Sequence, residues 1–170
     1  MLDTSAFIAG FDPFSIGEDQ YTVPMLKEEI IEGFMPWVRF KTAIESGKLK
    51  VKKPSQAFME KVRTTAASAG ETSYLSETDM QVLALALELK NKGYSPLIAS
   101  DDYSIQNVAN KMGIKFTSLV TFGIRFQLEW IRYCPACRKK YPTDYKFKKC
   151  KVCGTELKRK PLRKRGLTKQ

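Results

Sequence analysis

The sequence contains no histidine among its 170 residues. That absence excludes Ser–His–Asp and Cys–His nucleophilic catalysis, and any RNA cleavage in which two imidazoles act as acid and base. No apolar run reaches the roughly 18–20 residues that a membrane span requires, and no basic region followed by an apolar stretch opens the chain. A soluble, cytoplasmic protein is expected. Acidic residues are scarce at the end of the chain, where residues 127–170 carry 15 Lys and Arg against 3 Asp and Glu. Residues 1–126 are balanced, with 14 basic and 15 acidic side chains, so the whole net charge of +11 belongs to the last quarter. Such a concentration of charge suits contact with phosphates or a membrane surface, or serves only to solubilise a tail.

At 43% hydrophobic residues the chain can bury a core. MLDTSAFIAG reads as a short strand running into a loop, and YTVP as a second strand. Pro24 opens a helix, PMLKEEII, that stops near Gly33. Residues 34–46 form another helix, with Phe34, Val38 and Ala43 among its apolar positions. LKVK (49–52) alternates as a strand, and Pro54 starts a helix that ends at Gly70. Ser76 opens the clearest helix: Ser76-x-x-Asp79 has capping-box spacing, and Val82, Leu83, Ala86, Leu87 and Leu89 recur at helical intervals. PLIAS (96–100) and IKFTSLV (114–120) read as strands flanking a helix that carries Ile105, Val108, Ala109 and Met112. This alternation predicts an α/β fold, a mostly parallel sheet with helices on both faces. A boundary falls near Gly123. After FQLEWIRY (126–133), another strand, come cysteines and Lys-rich loops, and the tail from residue 158 to 170 has no core-forming pattern and is expected to be mobile.

All four cysteines lie in two pairs, Cys134-Pro-Ala-Cys137 and Cys150-Lys-Val-Cys153-Gly154. Each C-x-x-C can turn two thiolates towards one point, and two such knuckles complete a closed, structural four-cysteine zinc site. Two disulfides are the competing assignment, which suits an exported chain. A redox C-x-x-C would not need a matched second pair.

Five acidic residues sit at strand ends or helix starts, where α/β enzymes place function. Asp3 follows the first strand, Glu29 lies towards the apolar face of its helix, Asp79 is in the first turn of its helix, and Asp101-Asp102 follow PLIAS. Capping alone can account for Asp79 and Asp102. Carboxylates converging at one place would resist ionisation unless a cation neutralised them, and hard oxygen ligands suit magnesium or manganese.

LDTSAF, VPMLKEEI, LSETDMQVLALA and IASDDYSIQNVA resemble the four acidic motifs of PIN-domain nucleases. Together with the cysteine ribbon they resemble the Nob-one family, endonucleases that mature small-subunit ribosomal RNA, over nearly the whole chain. The resemblance implies a PIN-like nuclease domain over 1–123, a zinc ribbon over 124–157 and a basic tail over 158–170. It maps the acidic site to Asp3, Glu29, Asp79 and Asp102, with Asp101 beside them in an unassigned role, and Thr4 and Ser5 as supporting hydroxyls. It implies one structural zinc, one or two magnesium or manganese ions, and cleavage of single-stranded RNA at the 3′ end of the small-subunit ribosomal RNA precursor in a pre-ribosomal particle, leaving a 5′-phosphate and a 3′-hydroxyl. Binding falls to the ribbon: Arg138, Lys139, Lys140, Lys146, Lys148, Lys149 and Lys151 surround the knuckles, and Tyr141, Tyr145 and Phe147 either stack on bases or form a small ribbon core. Two alternatives stand beside this reading: a toxin-like PIN ribonuclease acting on messenger or transfer RNA, and a non-catalytic ribosome-assembly factor that binds RNA.

Overall fold

A computed structural model describes residues 1–121, 123–124, 126–142, 145 and 147–166, without the side chains of Gln127 and of residues 163–166. Among the described residues no helix is long and apolar enough to cross a membrane. Four short strands build the frame. Strands β1 (Gln20–Thr22) and β2 (Leu49–Val51) pair in parallel, as do β3 (Leu97–Ala99) and β4 (Lys115–Thr117). The first residues of the chain join the two pairs. The Leu2 amide donates to the Tyr21 carbonyl at 2.9 Å, and the Ala99 amide donates to the Met1 carbonyl at 2.9 Å.

The opening segment differs from the sequence expectation. Only Leu2 makes a ladder bridge, to Ala99, and helix α1 (Thr4–Ile8) starts at once behind Asp3. Burial explains the brevity: Ala6 and Phe7 reach full burial as soon as the chain turns helical. Helix α2 (Leu26–Glu29) is shorter than expected, because Ile30 returns to extended backbone. Helix α3 (Met35–Glu45) has the expected limits, and of the three apolar positions named from the sequence only Ala43 is buried. Phe40 and Ala43 are buried, with the Phe40 ring edge-on to Phe7 at 5.5 Å, while Phe34 and Val38 point out.

Helix α4 (Gln56–Ala69), helix α5 (Glu77–Asn91) and helix α6 (Tyr103–Lys111) pack against one another. Residues 82–86 of α5 are all buried, which marks it as the central helix, enclosed on every side. Each fully buried Leu or Ile, such as Leu83, Leu85, Ile98 and Ile105, contributes roughly 1.5–3 kcal/mol over an exposed position.

The C-terminal region is a three-stranded antiparallel sheet in the order β6-β5-β7, with β5 at Phe126–Tyr133, β6 at Lys140–Tyr141 and β7 at Lys158–Gly166. The basic tail is therefore not a free end over its first nine residues. Residues 158–166 pair with β5 along its whole length, through backbone hydrogen bonds that need no apolar pattern. Residues 167–170 lie outside the described set.

Candidate active site and metal centre

At the carboxyl ends of the β3 and N-terminal segments, hydrogen bonds through hydroxyl groups and backbone amides connect four acidic residues. Asp3 is buried, and one of its oxygens accepts from Ser5 Oγ at 2.8 Å and from Ser100 Oγ at 2.7 Å. Ser100 Oγ also accepts from the Asp102 amide at 3.1 Å. Asp102 caps α6, its carboxylate accepting from the Ser104 amide at 2.6 Å. On the other side, Thr4 Oγ1 donates to Glu29 Oε2, and Ser76 Oγ donates to Glu29 Oε1 at 3.4 Å. Ser76 in turn closes the capping box with Asp79, accepting from its amide at 3.1 Å while the Asp79 carboxylate accepts from the Ser76 amide at 2.7 Å. Thr4 and Asp3 are neighbours in the chain, so one polar network runs from Asp102 to Asp79.

Asp79 is the third-position member of the capping box, and it lies close enough to Asp3 and Asp102 to sense their charges. Burial, then the charges of Asp3 and Asp102, push its carboxyl from 3.8 up to about 6, against the opposing hydrogen bonds from Ser76. Burial likewise raises Asp3, against hydrogen bonds from Ser100 and Ser5. A divalent cation beside Asp79 would favour its ionised form, which burial and the charges of Asp3 and Asp102 oppose.

Asp101 stands apart. One of its oxygens accepts from the amides of Leu119, Val120 and Thr121 at 3.0–3.1 Å and from the Thr121 hydroxyl at 3.0 Å. Burial would raise its carboxyl, but these donors outweigh it and hold the group below its ordinary value. The carboxylate fastens the loop after β4. The bridging roles of Ser76 and Ser100 escaped the sequence reading, although Ser100 is signalled by its place directly before the acid pair.

The four cysteines converge as the spacing requires. Their sulfurs all lie within 4.8 Å of one another, and among the described residues they are the one group of three or more Cys, Asp or Glu ligands gathered so closely. Cys134 and Cys153 sulfurs are 3.4 Å apart, and Cys137 and Cys150 sulfurs 3.5 Å. A disulfide needs about 2.05 Å, whereas ligands at about 2.3 Å from a tetrahedral ion lie about 3.8 Å apart. The second fits. Both knuckles turn in the same way: Arg138, after the first pair, has φ 61°, and Gly154, after the second, has φ 71°. Burial would raise the Cys150 thiol, but the Tyr141 hydroxyl and the amides of Cys153 and Val152 bring it down to about 6. The Lys139 amide favours the Cys137 thiolate, yet the sulfurs of Cys150, Cys134 and Cys153 outweigh it and push that thiol up to about 12. The four sulfurs are gathered closely enough that they could hold a metal ion.

The aromatic question divides. Tyr141 is buried with its hydroxyl 2.9 Å from Cys150 Sγ, so it belongs to the ribbon core. Phe147 is 63% exposed, and Tyr145 stacks between the two, with Lys151 Nζ 5.4 Å from its ring centre. Arg138, Lys139, Lys140, Lys148, Lys149 and Lys151 are all exposed around the knuckles, while Lys146 lies outside the described residues.

The family model for the PIN domain of ribonuclease matches residues 1–89. Endoribonuclease Nob1 of Methanothermobacter thermautotrophicus is 40% identical over 94% of this chain and 91% of its own length. Endoribonuclease Nob1 of Pyrococcus abyssi is 36% identical over 98% of this chain and 96% of its own. Ribonuclease VapC1 of Thermoplasma acidophilum is 40% identical over a shorter part, 65% of this chain and 54% of its own length.

Proposed function

Because the chain belongs to the Nob1 family of PIN-domain endoribonucleases, we propose that it hydrolyses single-stranded RNA at the 3′ end of the small-subunit ribosomal RNA precursor, in the cytoplasm. The observation that carries this reading is the hydroxyl-linked network of Asp3, Glu29, Asp79 and Asp102. These four would hold one or two magnesium or manganese ions, which supply an activated water and neutralise charge at the phosphate. Ser5 and Ser100 hold the Asp3 carboxylate, and Thr4 and Ser76 hold the two oxygens of Glu29, so the donors are oriented before any ion arrives. The cysteine cluster would carry structural zinc, and the unit up to about Gly123 would be the nuclease domain. Incubation of the protein with a precursor RNA fragment and manganese tests the reading. A metal-dependent cut leaving a 3′-hydroxyl and a 5′-phosphate supports it. Products ending in a 2′,3′-cyclic phosphate, formed equally well in chelator, overturn it.

The raised Asp79 carboxyl gives a pH prediction. Its folded value, about 6, lies above the ordinary 3.8, so its contribution to stability is present below 3.8 and lost as pH rises through about 6. Magnesium reverses that loss by favouring the ionised form. The magnesium-induced rise in melting temperature should therefore grow between pH 5 and pH 7, read by thermal unfolding with and without the ion. A rise independent of pH would separate Asp79 from the metal site.

The acidic network repels RNA, so affinity must come from the ribbon. Replacing Lys148, Lys149 and Lys151 together by Gln should lower the slope of log affinity against log salt by about 2, since each contact to single-stranded phosphate accounts for about 0.7. An unchanged slope in fluorescence anisotropy would place the phosphate contacts elsewhere.

A further inference from the structure

Glu71 is a carboxylate that the acidic network does not use, and it is 2% exposed. It sits in the loop between Gly70, the left-handed end of α4, and the capping box of α5. Its backbone bonds stay local, to Ala66 and Tyr74, but its side chain reaches across to other parts of the fold. Oε1 accepts from Asn107 Nδ2 and from the Trp130 indole, each at 2.8 Å, and Oε2 is paired with the Arg159 guanidinium at 2.9 Å. That guanidinium lies between two aromatic faces, 3.7 Å from the Tyr74 ring centre and 3.9 Å from that of Trp130.

Trp130 and Arg159 stand on β5 and β7, the strands of the ribbon sheet. Further contacts follow the same seam. Asn107 of α6 exchanges two hydrogen bonds with the Leu128 backbone, both at 2.9 Å, and Arg132 donates to Ser73 at 3.1 Å. The strand approaches so closely that a Cβ on Gly70 would meet the Trp130 backbone oxygen at 2.9 Å. The two elements held against the ribbon are the loop leading into Ser76-Asp79 and the helix that Asp102 caps. A buried ion pair adds little net stability over apolar packing, but it demands one arrangement of its partners. An arginine fork held between rings is stricter still.

We infer that Glu71 is a positioning residue: with Arg159, Trp130 and Asn107 it latches the ribbon in one orientation to the acidic network, and so selects which phosphodiester of a ribbon-bound RNA is cut. This rests on the nuclease reading above. An RNA anchor on a loose joint would still concentrate substrate near the acids, but it would present several neighbouring phosphates in turn.

The test uses the full chain with two variants, Glu71→Gln and the double variant Glu71→Gln/Arg159→Met, which leaves no buried charge unpaired. The substrate is an end-labelled RNA hairpin with a single-stranded 3′ extension. The wild type should give one dominant cut, and both variants a spread of cuts over adjacent nucleotides. Turnover of a short unstructured oligoribonucleotide should change by no more than about twofold, since the acids are untouched. Backbone ¹⁵N relaxation supplies a readout independent of cleavage. In the wild type the ribbon and the helical domain should tumble with one correlation time, and in the variants with two. A double variant that cuts at a single position and tumbles as one body overturns the latch, as does a wild-type ribbon that tumbles independently. An inactive wild type that tumbles as one body would count against the nuclease reading and leave the mechanical half of the latch supported.

Discussion

Asp79→Asn, Asp3→Asn and Asp102→Asn should each reduce RNA cleavage by about a thousandfold or more, equivalent to ~4 kcal/mol of lost transition-state stabilisation, while RNA binding persists. Each substitution removes one charged oxygen donor and leaves the basic ribbon intact. Binding should tighten slightly, because one of the repulsive charges near the phosphate is gone. Asp101→Asn supplies the contrast. Its carboxylate is occupied by the backbone of residues 119–121, and the amide oxygen of Asn can still accept part of that set. A loss below about tenfold is expected, expressed through loop order and not through metal binding. Single-turnover cleavage in manganese, alongside anisotropy for binding, checks all four. Asp101→Asn as silent as Asp102→Asn would assign both acids to the reaction.

The two C-x-x-C pairs, the capping box at Ser76 and the acids at strand ends were legible because each is a local pattern with a physical meaning at fixed spacing. The boundaries of α3 and α4 were legible too, since Gly47 and Gly70 stop them in left-handed backbone. The phase of α3 was not. Phe34, Val38 and Phe40 are all apolar, and only the position of Phe7 decides that Phe40 turns inward. The tail failed for a different reason. Strand β7 is held by the backbone of β5, and its basic side chains carry no alternation to betray a strand. Glu71 gave no signal at all, because its partners lie 36, 59 and 88 residues away. A separation of 25 residues likewise hides the bond between Thr4 and Glu29. Sequence named the acids, but their linkage through hydroxyls depends on which loops the sheet brings together.

Cys150→Ser should release the metal from the cysteine cluster and unfold residues 134–157 while the helical domain keeps its fold. The cluster has little else to hold it. Among the described residues its buried ones are Cys134, Tyr141 and Cys150, with Tyr145 and Leu157 packed at the margin, too few to offset the ordering of this segment. Metal binding in comparable small modules contributes an apparent ~10–16 kcal/mol to folding, so losing one thiolate removes the main stabilising interaction. The substitution also replaces the large sulfur that lies 2.9 Å from the Tyr141 hydroxyl with a smaller oxygen, which loosens the seat of that ring. Unfolding should stop at the edge of the knuckles. Strands β5 and β7 pair with each other along their length and are also tied to Glu71 and Asn107, so they should stay in place. RNA affinity should fall sharply, because the exposed lysines at 139, 140, 148, 149 and 151 lose their common frame. Elemental analysis should find about one zinc per wild-type chain and none in the variant. Amide spectra should lose dispersion for residues 134–157 alone. A variant that retains one zinc per chain, or a zinc-free wild type with an ordered ribbon, would remove the metal from its proposed structural role.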